Sequence, residues 1–191
     1  SGADPANTTV APGGAATTAD AFTFQTDGST DTVTAVTVTL APGTFASLLQ
    51  LQITDDAEST VYGSLNPLSD TPSIPLTTPI TVTTTSTQYK IRVRPESHAL
   101  MPAPPGSSYA LTARVSSWTG SNVSHAGSDS GGTTVTIDNS SPANVTVSTA
   151  TSGNSQVTLA WTNPLTSDLG TILVLRRAGS AVGDRPTEGT T

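Results

Sequence analysis

The chain contains no cysteine, which excludes disulfide bonds and thiolate metal sites. Aromatic residues make up only 4% of its 191 residues, too few for a broad aromatic pocket. No apolar run is long enough to cross a membrane as a helix, so we expect no membrane insertion. Basic residues are also scarce, and the formal net charge is −7. Such an acidic chain repels phosphate backbones, which argues against nucleic-acid binding.

The chain does contain several runs in which apolar and polar residues alternate. Period two places one set of side chains in a core and the other in water, as in antiparallel sheets with one solvated face. The residues predicted to face inward are Leu49, Leu51, Ile53, Tyr89, Ile91, Val93, Tyr109, Leu111, Ala113 and Val115.

The run "DTVTAVTVTL" departs from this alternation at one point. Val36, Val38 and Leu40 are in phase, whereas Val33 is not. A β-bulge shifts the phase of a strand by one residue, so we predict a bulge or a strand limit near Ala35.

Turn residues divide the chain into about seven or eight predicted strands between Ala21 and Asp138, which is typical of a sandwich. The first twenty residues (1–20) are interpreted as a linker or extended segment, and 21–138 as one β-sandwich. A polar, proline-containing stretch at 139–143 predicts a second linker. An alternating run then begins a further domain over 144–191.

The stretch that starts at Pro142 resembles the first half of a fibronectin type III domain. The resemblance rests on Val157, Leu159 and Trp161 in a second strand and on "TILVLRR" as a third. The run from Tyr109 to Val115 resembles a late strand of an immunoglobulin-like or fibronectin-like sandwich. The resemblance implies an all-β chain: an antiparallel β-sandwich followed by an incomplete fibronectin type III-like domain. Such tandem domains are common in large secreted or surface proteins of bacteria, which implies an extracellular or cell-surface location.

The string "GSDSGG" resembles the surroundings of the nucleophile in chymotrypsin-like proteases, with Ser130 in the nucleophile's place. The chain is too short for the two barrels of that fold, and Thr133 stands where those proteases have proline. His98 and His125 are interpreted as solvated loop residues that do not form a base for Ser130. We therefore interpret the string as a turn and expect no enzymatic activity.

Acidic loops offer oxygen ligands, and Asp138 with Asn139 is the predicted position for a possible Ca²⁺ ion. The alternative is that these residues only start turns. No other cofactor is expected. Four sequons could carry glycans if the host glycosylates secreted proteins, at Asn7, Asn122, Asn139 and Asn144.

Basic and aromatic side chains give two weaker candidates for binding sites. Lys90, Arg92 and Arg94 lie on one face of a predicted strand, and Arg114 could extend this basic stripe. The stripe could bind an anion or could pair with acids on neighbouring strands, and pairing is favoured in an acidic chain. Trp118 could stack on a sugar or could cap the core.

The sequence therefore predicts a non-catalytic structural, spacer or adhesive segment of a larger extracellular protein. Its expected partners are adjacent domains of the same chain or copies of itself. Two alternatives stay open. One is a subunit or fragment of an extracellular filament whose strands are shared between chains, and the other is a carbohydrate-binding module.

Overall fold

A computed structural model describes residues 2–102, 107–122, 126–140, 143–165, 171–180 and 182–183. Strands dominate these ranges, which confirms the all-β class. They are β1 (Thr8–Val10), β2 (Thr17–Phe24), β3 (Asp31–Leu40), β4 (Leu48–Asp55), β5 (Val61–Leu65), β6 (Ser73–Val82), β7 (Thr87–Pro95), β8 (Ser108–Leu111), β9 (Ala113–Gly120), β10 (Val135–Asp138), β11 (Thr146–Gly153) and β12 (Gln156–Thr162). Two short 3-10 helices span Thr44–Ser47 and His98–Leu100. Within the described ranges, no helix has the length and apolar character needed to span a membrane.

The chain divides into two compact units, residues 1–139 and 140–191. The first unit contains three sheets, with strand orders β2-β7-β4-β5, β6-β3-β9 and β1-β10-β8. Every pairing in it is antiparallel except β1 with β10, which is parallel. Strands β8 and β9 are separated by Thr112 alone, so the chain passes there from the third sheet to the second.

The core of the first unit is a single cluster of mainly aliphatic side chains contributed by all three sheets. Its centre follows the register of β4 and β7, in which Leu51 is opposite Val93 and Ile53 is opposite Ile91. All four side chains are 0% exposed. The predicted inward positions Tyr89, Ile91, Val93, Leu111, Ala113 and Val115 are likewise buried, so the strand phase is confirmed there.

Strands β3 and β4 each change phase within their length. Strand β3 shifts register between Val33 and Ala35 against both of its neighbours, which confirms the predicted bulge. Strand β4 shifts between Leu48 and Gln50, and this irregularity buries Leu48 while Leu49 is only half-buried. The inward prediction for Leu49 was therefore wrong, because alternation from Leu51 does not continue through the irregularity.

The N-terminal segment differs from the expected linker. Residues 1–20 belong to the first unit: β1 pairs with β10, and β2 begins at Thr17. Ala19 and Asp20 are both 0% exposed. The short length of β1 and the irregular register between Thr18 and Asp20 explain why no clear period was visible here.

The second unit contains an antiparallel hairpin of β11 and β12. Val157, Leu159 and Trp161 of β12 are 62%, 46% and 40% exposed. The predicted third strand "TILVLRR" is not formed, since residues 171–177 carry no strand and Leu173 is 66% exposed. A strand depends on cross-strand partners and burial, and the described part of this unit supplies neither to that segment. Pro142 lies outside the described residues, and the fibronectin-like identity stays a prediction.

The strand phase can be tested with a buried and an exposed residue. Ile91 is 0% exposed between Asp20 and Ile53, whereas Thr112 is exposed. We expect Ile91→Ala to destabilise the first unit by about 2–5 kcal/mol because it leaves a cavity. Thr112→Ala should stay within about 0.5 kcal/mol of the parent. Urea denaturation measures both, and equal midpoints for the two variants would contradict the assigned core.

Candidate functional site

A cleft opens between β2 and β9, which are edge strands of two different sheets. Its volume is about 490 Å³. A smaller cleft of about 310 Å³ adjoins it and shares Phe24, Gln25 and Trp118 with it. The larger cleft combines the aromatic side chains of Phe22, Phe24 and Trp118 with the polar side chains of Gln25, Arg114 and Asp129.

Trp118 belongs both to the cleft and to the border of the core. Its ring is half-buried and meets Phe24 edge-on, with ring centroids 5.3 Å apart. It packs against the core cluster. The two interpretations of Trp118, a core cap and a surface for stacking, are therefore compatible with the same position.

One wall of the cleft is formed by the loop that contains "GSDSGG". Asp129 Oδ2 accepts a hydrogen bond of 2.9 Å from the backbone N–H of Val115 in β9. Gly131 has φ of +58°, and a Cβ atom there would lie 2.5 Å from the carbonyl oxygen of Ala113. Only glycine fits this approach without displacing the backbone. The loop thus lies along the edge of β9 and satisfies part of its backbone.

Asp20 lies in β2, whose later residues line the other wall, and its side chain is buried. The register places it opposite Ile91, two residues before Phe22, which is opposite Tyr89. Asp20 is 0% exposed, and the carboxyl group of Asp129 is close enough to act on it. Burial raises the pKa of Asp20 to about 8, helped by the neighbouring Asp129 carboxyl and by the charges of Asp129 and Asp4.

Asp31, beside the smaller cleft, has a different environment. Its Oδ1 accepts hydrogen bonds from Thr32 N at 2.7 Å, Ser121 Oγ at 2.6 Å and Asn122 N at 3.0 Å. These donors, led by the Ser121 hydroxyl, lower the pKa of Asp31. The carboxylate joins the start of β3 to the residues that follow β9, which is a structural role.

The predicted calcium position holds two side chains with different neighbours. Asp138 Oδ1 accepts a hydrogen bond of 3.1 Å from Ser108 Oγ. Asn139 Oδ1 lies 2.5 Å from His98 Nδ1. Among the residues that the structure describes, no group of three or more His, Cys, Asp or Glu side chains is placed to hold a metal ion. Calcium binding at Asp138 and Asn139 stays a prediction.

The four sequons differ in exposure. Asn7, Asn122 and Asn144 are exposed, although Asn7 Oδ1 already accepts a hydrogen bond of 2.8 Å from Thr134 N. Asn139 is 2% exposed, so a glycan there would require its side chain to leave its contact with His98. Glycosylation of the other three remains a prediction.

The basic stripe pairs with acidic residues that follow β4. Glu58 lies 3.2 Å from Lys90 Nζ and 3.2 Å from Arg92 Nη2. Arg92 also donates a hydrogen bond of 2.6 Å to the Ala16 carbonyl. A hydrogen bond from Thr18, together with these cations, lowers the pKa of Glu58. The interpretation of Lys90 and Arg92 as paired residues on a solvated sheet face is confirmed, while Arg94 is exposed and Arg114 borders the cleft.

His98 is the histidine that the structure describes, and it is not placed as a base for Ser130. His98 is half-buried and bonded through Nδ1 to Asn139, so its interpretation as a solvated residue was only partly right. Ser130 is exposed in the loop along β9. His125 lies outside the described residues. Within "GSDSGG", the side chain with specific contacts is that of Asp129, which accepts a hydrogen bond from Val115 N.

Sequence reasoning missed Asp20, although its signal was present. In "DAFTF", Asp20, Phe22 and Phe24 alternate with Ala21 and Thr23, which continues the inward phase of β2 to the carboxyl group. Asp129 was treated as part of a turn, because local sequence carries no sign of its contact with a strand more than one hundred residues earlier.

Comparisons with protein-family models, curated proteins and solved structures find no significant match to this chain. The arrangement of the described residues is therefore the basis for any statement about function.

The interpretation of Ser130 leads to a direct chemical test. We expect no modification of Ser130 by a fluorophosphonate probe, because an unactivated hydroxyl reacts poorly without an oriented base. Intact-protein mass spectrometry measures labelling, and Ser130→Ala is the control. Stoichiometric labelling of the parent that is lost in the variant would contradict the non-catalytic interpretation.

Proposed function

We propose that this chain is a non-catalytic spacer of a larger extracellular or cell-surface protein and that its first unit resists stretching. The observation that carries the proposal is the parallel pairing of β1 with β10, the first and last strands of that unit. Thr8, Thr9 and Val10 are opposite Val135, Thr136 and Ile137.

A parallel pair responds to tension in a specific way. Tension applied before β1 and after β10 pulls the two strands in opposite directions along their own axes. The hydrogen bonds between them then carry the load together, whereas the bonds of a hairpin pulled apart at its open end break one after another. The topology of the first unit therefore suits a segment that separates two attachment points under load.

Contacts beside the pair add to this connection. Thr8 N donates to the Thr134 carbonyl at 3.1 Å. Thr133 Oγ1 donates to the Pro5 carbonyl at 2.7 Å, and Gly132 N donates to Asp4 Oδ2 at 3.2 Å. Each bond contributes about 0.5–1.5 kcal/mol. They join the segments on the N-terminal side of both strands, so the same pull loads them.

The second unit supports a role in joining to other protein surfaces. In the described part of that unit, β11 and β12 pair with each other alone, and the apolar side chains of β12 are exposed. Open strand edges and an uncovered apolar face favour contact with further protein. In the alternative role of a filament subunit, copies of the chain would supply that contact, and sedimentation would show assembly that increases with concentration.

The spacer proposal can be tested by pulling the chain between points before residue 4 and after residue 139. We expect Thr8→Pro to lower the unfolding force of the first unit, since proline lacks the N–H that bonds to Thr134. Single-molecule force spectroscopy measures this force.

Thr9→Pro is the matched control. Alternate residues of an edge strand direct their N–H away from the neighbouring strand, and Thr9 is exposed. We expect this variant to keep most of the parent's unfolding force. Equal forces in the parent and in both variants would show that the β1–β10 pair carries no load.

Carbohydrate binding is the second candidate function, and the cleft between β2 and β9 favours it. Trp118 provides an aromatic surface there, and Gln25, Arg114 and Asp129 provide polar groups for sugar hydroxyls. On this proposal, soluble oligosaccharides would change the tryptophan fluorescence in a saturable manner, and Trp118→Ala would remove the change. A spacer without a sugar site would give no saturable change in the parent.

A further inference from the structure

We propose that Asp20 and Asp129 share one proton and that this shared proton is a pH-sensitive latch between the edge strands β2 and β9. The latch goes beyond the spacer proposal and does not depend on it. It rests on the placement of two carboxyl groups, that of the buried Asp20 in β2 and that of Asp129 in the loop along β9.

The first observation is that three oxygens of this pair lack hydrogen-bond partners. Asp20 is 0% exposed, and neither Oδ1 nor Oδ2 has a donor within reach. Asp129 Oδ1 is buried without a donor as well, while its Oδ2 accepts the Val115 N–H. An unpaired buried charge is strongly unfavourable, and two facing carboxylates repel each other. A proton on Asp20 removes one charge and supplies a donor for Asp129.

The second observation is the charge of the surroundings. The charged groups that act on Asp20 are Asp129 on the loop and Asp4 on the N-terminal segment, and both disfavour its ionised form. The backbone N–H of Ala21 favours the ionised form, and its contribution is smaller than those of burial and the two acids. On β7, Lys90 and Arg92 flank Ile91 and therefore point to the opposite face, where both contact Glu58.

The remaining basic group nearby is Arg114 of β9. It is exposed and lines the cleft, as Asp129 does. No third His, Cys, Asp or Glu side chain in the described ranges completes a metal site with the pair. The donor set therefore suits a proton better than a cation.

The pair connects two sheets through a short chain of contacts. Asp20 belongs to β2, and Asp129 is bonded to Val115 of β9. While the proton is present, Asp129 is bonded both to Asp20 of β2 and to Val115 of β9, so it links the two strands. When it is lost, two negative charges face each other in a buried position. We expect the loop of Asp129 to move away from β2 in that state and the N–H of Val115 to lose its acceptor.

The direction of the pH dependence follows from the pKa values of the two states. Asp20 titrates near 3.8 in an unfolded chain and at about 8 in the folded protein. Between these values the folded state holds a proton that the unfolded state has released. Stability is therefore highest at the acidic side of this window and falls as the pH rises through it.

The test is a comparison of thermal unfolding in the parent and in Asp20→Asn between pH 4 and pH 9. The asparagine amide imitates the protonated acid, because its N–H can donate to Asp129 at every pH. We expect the midpoint temperature of the parent to fall relative to that of the variant as the pH rises. Subtraction of the two profiles removes the contributions of Asp31, Asp55 and Glu58, whose pKa values are lowered.

Asp4→Asn is the matched control, since it makes the same chemical change at a neighbouring carboxylate that accepts a hydrogen bond from Gly132 and adds its charge to the surroundings of Asp20. We expect it to keep a fall of stability with rising pH, with the titration moved to a lower pH because one of the charges that raise the pKa of Asp20 is gone. Parallel profiles for the parent and Asp20→Asn would overturn the proposal. So would millimolar CaCl₂ at pH 8 raising the midpoint of the parent but not of Asp20→Asn, because a cation would then occupy the place of the proton.

A measurement on the parent protein keeps the proposal testable if Asp20→Asn does not fold. Carbon-13 NMR of the aspartate carboxyl groups should show one resonance that titrates near pH 8, and amide exchange at Val115 should lose protection through the same range. Titration of every aspartate below pH 5 would overturn the proposal.

Discussion

The position of β10 between β1 and β8 is the arrangement on which the first unit depends. This short strand, Val135–Asp138, joins β1 in the N-terminal segment to β8, which lies about one hundred residues later in the chain. Its inward residues, Val135 and Ile137, are 0% exposed, so burial fixes its register. The same placement positions the preceding loop along β9 and thereby brings Asp129 to Asp20. The proposed load transfer and the proposed sharing of a proton both depend on it.

The carboxyl pair illustrates how a core with few aromatic residues tolerates a polar group. Asp20 continues the row of Phe22 and Phe24, where an apolar side chain would be the ordinary choice. An ionised carboxylate in this position would lower stability, whereas the protonated acid is a compact, neutral donor. Asp129 and Trp118 both line the cleft, so a protonated Asp20 would lie next to one of the cleft's polar side chains.

The sequence predicted those parts of the fold that depend on local alternation. The inward faces of β7, β8 and β9 and the bulge in β3 are present as period two indicated. Predictions were wrong where another segment determines the outcome. The linker interpretation of 1–20 missed β1, because three residues become a strand only through their pairing with β10. The inward prediction for Leu49 was wrong because the register of β4 is irregular there. The strand prediction for "TILVLRR" was wrong because the described residues supply no partner strand. For the candidate site, the alternation in β2 indicates that Asp20 faces inward, but its contact with Asp129 depends on the tertiary fold.

The spacer and the latch share one stretch of chain. Asp129 belongs to the carboxyl pair, and the residues just after it, from Gly132 to Thr134, bond to the N-terminal segment that tension would pull. Asp4 contributes to both, since it accepts from Gly132 and adds its charge to the surroundings of Asp20. If both proposals hold, loss of the proton frees the loop just before the bonds that carry load. The mechanical strength of the first unit and the protonation of Asp20 would then vary together, because a loop detached from β9 no longer fixes the start of β10.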